Sequence, residues 1–243
     1  MTHTALLNNI QHKDLKVIAR FSAAFGDNIN QVAIVPTEFE AIQREYPILL
    51  SRSPEGEYQA LALLGLDKDE NLFLDQQGWH ARYVPAMQVR GPFLIGFQQQ
   101  QDTAGEPRRE PMIHVDLDHP RVSRTEGEPL FLPQGGSSPY LEHITRVMRL
   151  MHQGLSISGA MFAAFKELAL IEPVAVQINL SDREQYQLAD YYTIGEERLA
   201  QLSGASLERL HKAGYLRAAY CVVSSLQNIN RLIELKNRRR AGT

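Results

Sequence analysis

The sequence predicts an α+β fold, with a mainly antiparallel sheet in its N-terminal half and a helix-rich α/β C-terminal half. Short runs of branched and aromatic residues, separated by turn signals, indicate strands in the first half. Apolar residues recur at helical spacing through much of the second half. With 243 residues, the chain is long enough for two domains. We expect a β-rich half at 1–125 and a helix-rich half at 126–243, which could also form one continuous domain.

The strand signals of the first half are short and regularly interrupted by turns. They cover residues 32–35, 48–50, 58–64, 93–97 and 112–117. One short helix should lie among them, because Thr37 and Glu40 have the spacing of a capping box. Pro47 then ends the helical pattern.

The second half should begin with a helix, because Ser138 is followed by Pro139, a residue that suits the first helical position. We expect Gly154 to end that helix and a second helix to follow at 158–170. The remaining predictions are a hairpin at 174–180 and 185–194, a helix at 196–213 closed by Gly214, a buried strand at 215–223 and a last helix at 224–238.

Charge and composition exclude several kinds of partner. The net charge of −3 provides no basic face for nucleic acid. The apolar runs fall short of the roughly 20 residues that a membrane-spanning helix needs. The single cysteine, Cys221, cannot form an intramolecular disulfide, and the first residues lack the pattern of a signal peptide. We therefore expect a soluble, cytoplasmic protein that binds neither nucleic acid nor membrane.

A cluster of aromatic and cationic side chains is the main candidate for a binding site. It consists of Trp79, His80, Arg82, Tyr83 and Arg90. Aromatic rings can stack on a planar ligand, and guanidinium groups bind carboxylates through paired hydrogen bonds. The alternative is structural: Trp79 and Tyr83 would pack on the sheet, and Arg90 would pair with a carboxylate such as Glu38.

The string His-Val-Asp-Leu-Asp-His, which begins at His114, is a candidate metal site. Alternate residues of a strand share a face, so His114 and Asp116 would point the same way and supply two ligands of a non-haem iron site. A third ligand would come from His143, His152 or His211. The alternative is a solvent-facing strand edge that binds no metal.

Other catalytic signatures are missing from the sequence. It contains no Gly-x-Ser-x-Gly elbow, no GxGxxG fingerprint and no Walker loop. Cys221 lies in an apolar run, where thiols are usually inert. The sequence therefore indicates no cofactor and favours a binding role over an enzymatic one.

Several short motifs are informative because of the order in which they occur. They are Val35-Pro36-Thr37-Glu38-Phe39, Tyr46-Pro47-Ile48, Gly78-Trp79, Tyr83-Val84-Pro85-Ala86, Arg90-Gly91-Pro92-Phe93 and Ser224-Ser225-Leu226-Gln227-Asn228-Ile229. Together with further matches between residues 30 and 235, this order resembles the SapC family of bacterial proteins.

The resemblance implies an accessory role. Members of the family are found beside genes for flavin-dependent halogenase-like and cupin-like oxygenase proteins, which implies a partner enzyme of one of these kinds. The family also carries a surface-layer association. We therefore expect a non-catalytic protein that binds a small molecule, a peptide or a partner enzyme, with a metal-dependent enzyme and a surface-layer protein as the alternatives. Formation of a homodimer is left open.

Overall fold

The computed structural model describes residues 3–101, 107–181 and 184–242. The chain divides into two compact units, each made of two stretches of sequence. The first unit contains Met1–Phe21 and Gln88–His152, and the second contains Ser22–Met87 and Gln153–Thr243. Each unit is a set of residues that pack mainly against one another. The boundary between two domains that the sequence predicts near residue 125 stays a prediction.

Most strands lie before residue 130 and most helices after it. The strands are β1 (Thr4–Leu6), β2 (Lys16–Val17), β3 (Gln31–Ile34), β4 (Ile48–Arg52), β5 (Tyr58–Leu63), β6 (Leu74–Asp75), β7 (Gly78–Trp79), β8 (Phe93–Gln101), β9 (Pro107–Asp116), β10 (Val122–Ser123), β11 (Glu128–Pro129), β12 (Ile171–Ser181) and β13 (Glu184–Ile194). The helices are α1 (Phe39–Ile42), α2 (Ala86–Val89), α3 (Pro139–Glu167), α4 (Glu196–Ala200), α5 (Gly204–Lys212), α6 (Tyr215–Ser225) and α7 (Asn228–Ala241). The predicted α+β class is confirmed.

The second unit is built around a five-stranded antiparallel sheet in the order β12-β13-β4-β5-β3. Leu50 of β4 pairs with Tyr192 on one side and with Ala60 on the other. Several aromatic side chains are fully buried in the core of this unit, including those of Phe39 and Tyr46. Each large apolar side chain buried in this way stabilises the fold by about 1.5–3 kcal/mol relative to exposure.

The first unit contains two small antiparallel sheets and the first half of α3. One sheet has the order β1-β9-β8, so β9 is its central strand, and the other has the order β10-β2-β11. Phe93 of β8 pairs with Val115 of β9, and both side chains are completely buried. Ile144 and Met148 of α3 are also buried in this unit.

Local sequence signals located several elements correctly. Helix α3 begins at Pro139, and the hydroxyl of Ser138 accepts a hydrogen bond from the Leu141 N–H at 3.1 Å. The hairpin predicted in the second half is formed by β12 and β13. Gly214, with a φ of 77°, lies just beyond the end of α5, as predicted.

Gly154 does not end a helix, contrary to the prediction, because α3 runs through it to Glu167. A Cβ at Gly154 would lie 2.5 Å from the Cβ of Val35, which is closer than such atoms can approach. Glycine is therefore required here because the helix packs closely against another segment of the second unit.

The buried strand predicted at 215–223 is wrong, because these residues form α6. The burial follows a helical repeat: Ala218, Ala219 and Val222 are buried, whereas Arg217 and Tyr220 are exposed. A short apolar run cannot by itself distinguish a buried strand from a packed helix.

The helix predicted at 196–213 is divided into α4 and α5, and Ser203 caps α5 by accepting from the Ser206 N–H.

In the described part of the chain, the helices are either too short or too polar to cross a membrane.

Candidate functional site

Three of the predicted site residues belong to one hydrogen-bonded network, and Tyr46 links them. The indole Nε1–H of Trp79 donates to the Tyr46 hydroxyl at 2.9 Å, and that hydroxyl donates to the backbone oxygen of Tyr83 at 2.6 Å. The Tyr83 hydroxyl in turn donates to Oε2 of Glu38 at 3.0 Å. The sequence motifs include Tyr46, but they gave no reason to assign it to a site.

Glu38 is buried and its carboxylate accepts three hydrogen bonds. Oε1 accepts from the Val35 N–H at 3.0 Å, and Oε2 accepts from the Ala86 N–H at 2.9 Å as well as from Tyr83. Burial raises the pKa of Glu38, and the three donors offset part of that effect. This carboxylate, not that of Glu40 in the predicted capping box, stabilises the turn that leads into α1.

The two tyrosines of the network are held as neutral phenols. Burial raises the pKa of Tyr46 well above its usual value of 10. Burial also raises the pKa of Tyr83, and the neighbouring Glu38 carboxylate raises it further. Because every member of the network already has its partners, its chemistry is that of a rigid support and not of a proton-transfer site.

Arg90 lies in the first unit, whereas Trp79, Tyr83 and Glu38 lie in the second. Its Nη1 donates to the backbone oxygen of Phe93 at 2.9 Å, and Phe93 N–H returns a bond to the Arg90 oxygen at 3.0 Å. Burial lowers the pKa of Arg90. These contacts stabilise the turn that leads into β8.

An open hollow of about 480 Å³ lies beside Tyr83 in the second unit. We call it the arginine hollow, and its lining consists of Ala41, Arg44, Glu45, Arg82, Tyr83 and Arg231. Its size falls within the range of about 300–1,000 Å³ that is common for small-molecule sites. Arg82 and Tyr83 belong to the cluster predicted from the sequence, so the hollow extends that candidate site.

The lining of the arginine hollow carries more positive than negative charge. Three guanidinium groups surround one carboxylate, that of Glu45. Arg231 approaches Glu45 only to 3.7 Å and lies over the ring of Phe73, and Arg44 is 3.7 Å from Glu40. Among the residues that the structure describes, no carboxylate forms an ion pair with Arg82.

Three separate segments supply the hollow. Arg44 and Glu45 follow α1, Arg82 and Tyr83 lie in the loop after β7, and Arg231 lies on α7. Oε2 of Glu45 accepts the Arg82 N–H at 2.8 Å and so fixes the loop to the end of α1. No local pattern could have associated Arg231 with Arg82, because they are far apart in the sequence.

The candidate metal ligands His114 and Asp116 are engaged in local structure. A Cβ at Gly96 would fall 2.2 Å from the His114 ring, so this imidazole packs closely against the neighbouring strand. Oδ1 of Asp116 accepts the Asp118 N–H at 3.2 Å in the turn that follows β9. Within residues 3–101, 107–181 and 184–242, no three His, Cys, Asp or Glu side chains form a group that could hold a metal ion.

Two further groups that often take part in catalysis lie in the second unit, the imidazole of His80 and the thiol of Cys221. Nε2 of His80 lies 2.6 Å from Oδ1 of Asp75, but both side chains are about half exposed, and Asp75 also accepts the Gln77 N–H at 2.7 Å. This pair closes the β6–β7 turn. Burial raises the pKa of the Cys221 thiol, which disfavours the reactive thiolate.

Comparison with known proteins gives one result. A family model described as SapC matches residues 7–232. Neither the curated proteins nor the solved structures include a significant match to this chain.

Proposed function

Because this chain belongs to the SapC family, we propose that it is a non-catalytic binding protein that holds a carboxylate-bearing ligand in the arginine hollow. The ligand is a small molecule or an acidic segment of a protein. A halogenase-like or oxygenase-like enzyme is the partner that we propose, since family members are associated with such enzymes. We place the protein in the cytoplasm. Its single cysteine cannot form an intramolecular disulfide, the feature that is typical of proteins in oxidising compartments.

The charge of the arginine hollow is the observation that carries this proposal. A guanidinium group binds a carboxylate through two parallel hydrogen bonds, and this pairing is stronger than one between neutral groups. Among the described residues no carboxylate forms an ion pair with the Arg82 side chain, and the ion pairs of Arg44 with Glu40 and of Arg231 with Glu45 are long, at 3.7 Å. An anion in the hollow would therefore satisfy charges that the protein leaves largely uncompensated.

The surroundings of the hollow support binding without catalysis. Tyr83 provides a wall whose hydroxyl is already committed to Glu38. Glu45, the carboxylate of the lining, is 6 % exposed and accepts the Arg82 N–H. A general base needs a free acceptor within reach of the substrate proton, whereas both oxygens of Glu38 accept hydrogen bonds and Oε2 of Glu45 is bonded to the backbone.

Native mass spectrometry with metal analysis tests the proposal. The protein is purified without chelator, without immobilised metal and in a volatile buffer. We expect a metal-free chain that carries a releasable acidic compound, and an Arg82→Gln variant that carries less of it. Stoichiometric iron or zinc would instead support the metal-dependent enzyme, and large ordered assemblies would support the surface-layer alternative.

A further inference from the structure

The first unit contains a second, smaller cavity of different chemistry. It measures about 170 Å³ and lies between the β8–β9 hairpin and α3. We call it the apolar cleft, and its lining includes Ile95, Met112, Ile113, Met148, Arg149 and His152. Nothing in the proposed function uses this cavity.

The apolar cleft is the open end of a hydrophobic stripe on the hairpin. Phe93 and Val115 pair across the two strands and are completely buried. Ile95 and Ile113, the next pair on that face, are only partly buried and line the cleft. Phe97, two residues further along β8, is 52 % exposed. The hydrophobic surface thus continues beyond the part that the protein covers itself.

The apolar cleft is large enough to hold one aromatic ring. An apolar protein cavity of about 150 Å³ can bind benzene. Phe97 and His152 lie beside each other, with their ring centroids 5.8 Å apart and their planes tilted by 57°. A ring in the cleft would contact the side chains of Ile95 and Met148 and would have aromatic groups beside it.

One cation at the cleft defines the polar end of a ligand. Arg149 lines the cleft, its side chain is exposed, and no described residue forms a hydrogen bond or an ion pair with it. The hydroxyl of Thr145, the other polar group on that turn of α3, already donates to the Leu141 oxygen at 2.8 Å. Arg149 therefore offers free guanidinium donors at the cleft, and a guanidinium group prefers a carboxylate.

We propose that the apolar cleft binds a small monocarboxylic acid with a single aromatic ring, with the ring between Ile95, Ile113 and Met148 and the carboxylate at Arg149. This site is independent of the arginine hollow, because the two cavities are lined by different residues in different units. The apolar wall selects the ring, and Arg149 selects the charge.

Phenylacetate is a suitable probe, and phenylacetamide is its uncharged counterpart of similar shape. Titration of the labelled full chain with phenylacetate, followed by NMR, should shift the signals of Ile95, Ile113 and Met148. Arg149→Gln should weaken phenylacetate binding about tenfold, which is the usual effect of losing one charge-assisted hydrogen bond. The same substitution should leave phenylacetamide binding unchanged.

Arg146→Gln is the matched control, because Arg146 is exposed on the same helix and does not line the cleft. It should bind phenylacetate like the wild type. Equal phenylacetate affinity for Arg149→Gln and the wild type, or shifts that spare the cleft, would overturn the proposal. So would sedimentation as a dimer that a Phe97→Ser variant dissociates, since a second copy would then cover this surface.

Discussion

Oε2 of Glu45 accepts a hydrogen bond from the backbone N–H of Arg82 at 2.8 Å. This bond joins the end of α1 to the loop after β7 and places a buried carboxylate among the guanidinium groups of the arginine hollow. Glu45 thus stabilises the shape of the hollow while reducing its positive charge.

The two effects of Glu45 can be separated by Glu45→Gln. Glutamine retains an oxygen that can accept the Arg82 N–H, but it removes the negative charge. We expect citrate to bind about fivefold more tightly to this variant, since a unit charge about 4 Å away contributes about 1 kcal/mol where water screens the interaction. Isothermal titration calorimetry at low ionic strength measures the change. Glu234→Gln, an exposed charge change on α7, serves as the control. Weaker citrate binding to Glu45→Gln would contradict this description of the hollow.

Glu38 should make stability depend on pH. Its folded pKa is raised from 4.5 by burial, so the folded state holds this proton more tightly than the unfolded state. Its contribution to stability is therefore complete below about pH 4.5 and is lost as the pH rises through the folded pKa.

Glu38→Gln should remove that dependence on pH. Glutamine offers only one oxygen to the N–H groups of Val35 and Ala86, so one buried donor loses its partner. We expect a loss of about 1–3 kcal/mol below pH 4.5 and a smaller loss at pH 7. Urea unfolding across this range gives both values. A loss that grows as the pH rises would show that the folded pKa is not raised.

Gly154 and Gly159 provide a matched pair on α3. Alanine usually stabilises a helix interior by about 1 kcal/mol relative to glycine. A Cβ at Gly159 meets no atom within 4 Å, so Gly159→Ala should stabilise the protein. At Gly154 the new Cβ would collide with Val35, so Gly154→Ala should destabilise it by about 1–3 kcal/mol. Thermal unfolding measures both, and a stabilising Gly154→Ala would contradict the close packing described.

Arg90→Ala should affect stability and spare binding in the arginine hollow. The variant loses the bond from Arg90 Nη1 to the Phe93 oxygen and the packing of a partly buried side chain. We expect a loss of about 1–2 kcal/mol. Citrate affinity, measured on the folded variant, should not change. A loss of citrate binding without a loss of stability would place Arg90 in the site, as the sequence-based hypothesis has it.

The sequence predicted features that depend on neighbouring residues. The start of α3 at Pro139 and the glycine after α5 follow from backbone chemistry that acts over a few positions. The sequence predicts a helix end at Gly154 because glycine often follows the last residue of a helix. Its actual role depends on contact with Val35, which is more than a hundred residues away in the sequence.

The candidate site shows the same limit. The aromatic and cationic cluster pointed to Arg82 and Tyr83, which line the arginine hollow. Tyr46 and Arg231 were missed because their roles depend on contacts with distant segments: Tyr46 bonds to Trp79, and Arg231 reaches Glu45 from α7. Residues brought together only by tertiary packing leave no mark in a single sequence.

Titration of citrate into wild type, Arg82→Gln and Arg238→Gln tests the central claim most directly. The experiment is done at low ionic strength, because salt screens exposed charges. Arg238 is an exposed arginine of α7 that does not line the hollow, and its side chain forms an ion pair with Glu234 at 3.5 Å. We predict about tenfold weaker binding to Arg82→Gln and unchanged binding to Arg238→Gln. Equal affinities for all three proteins would contradict the assignment of the arginine hollow as an anion-binding site.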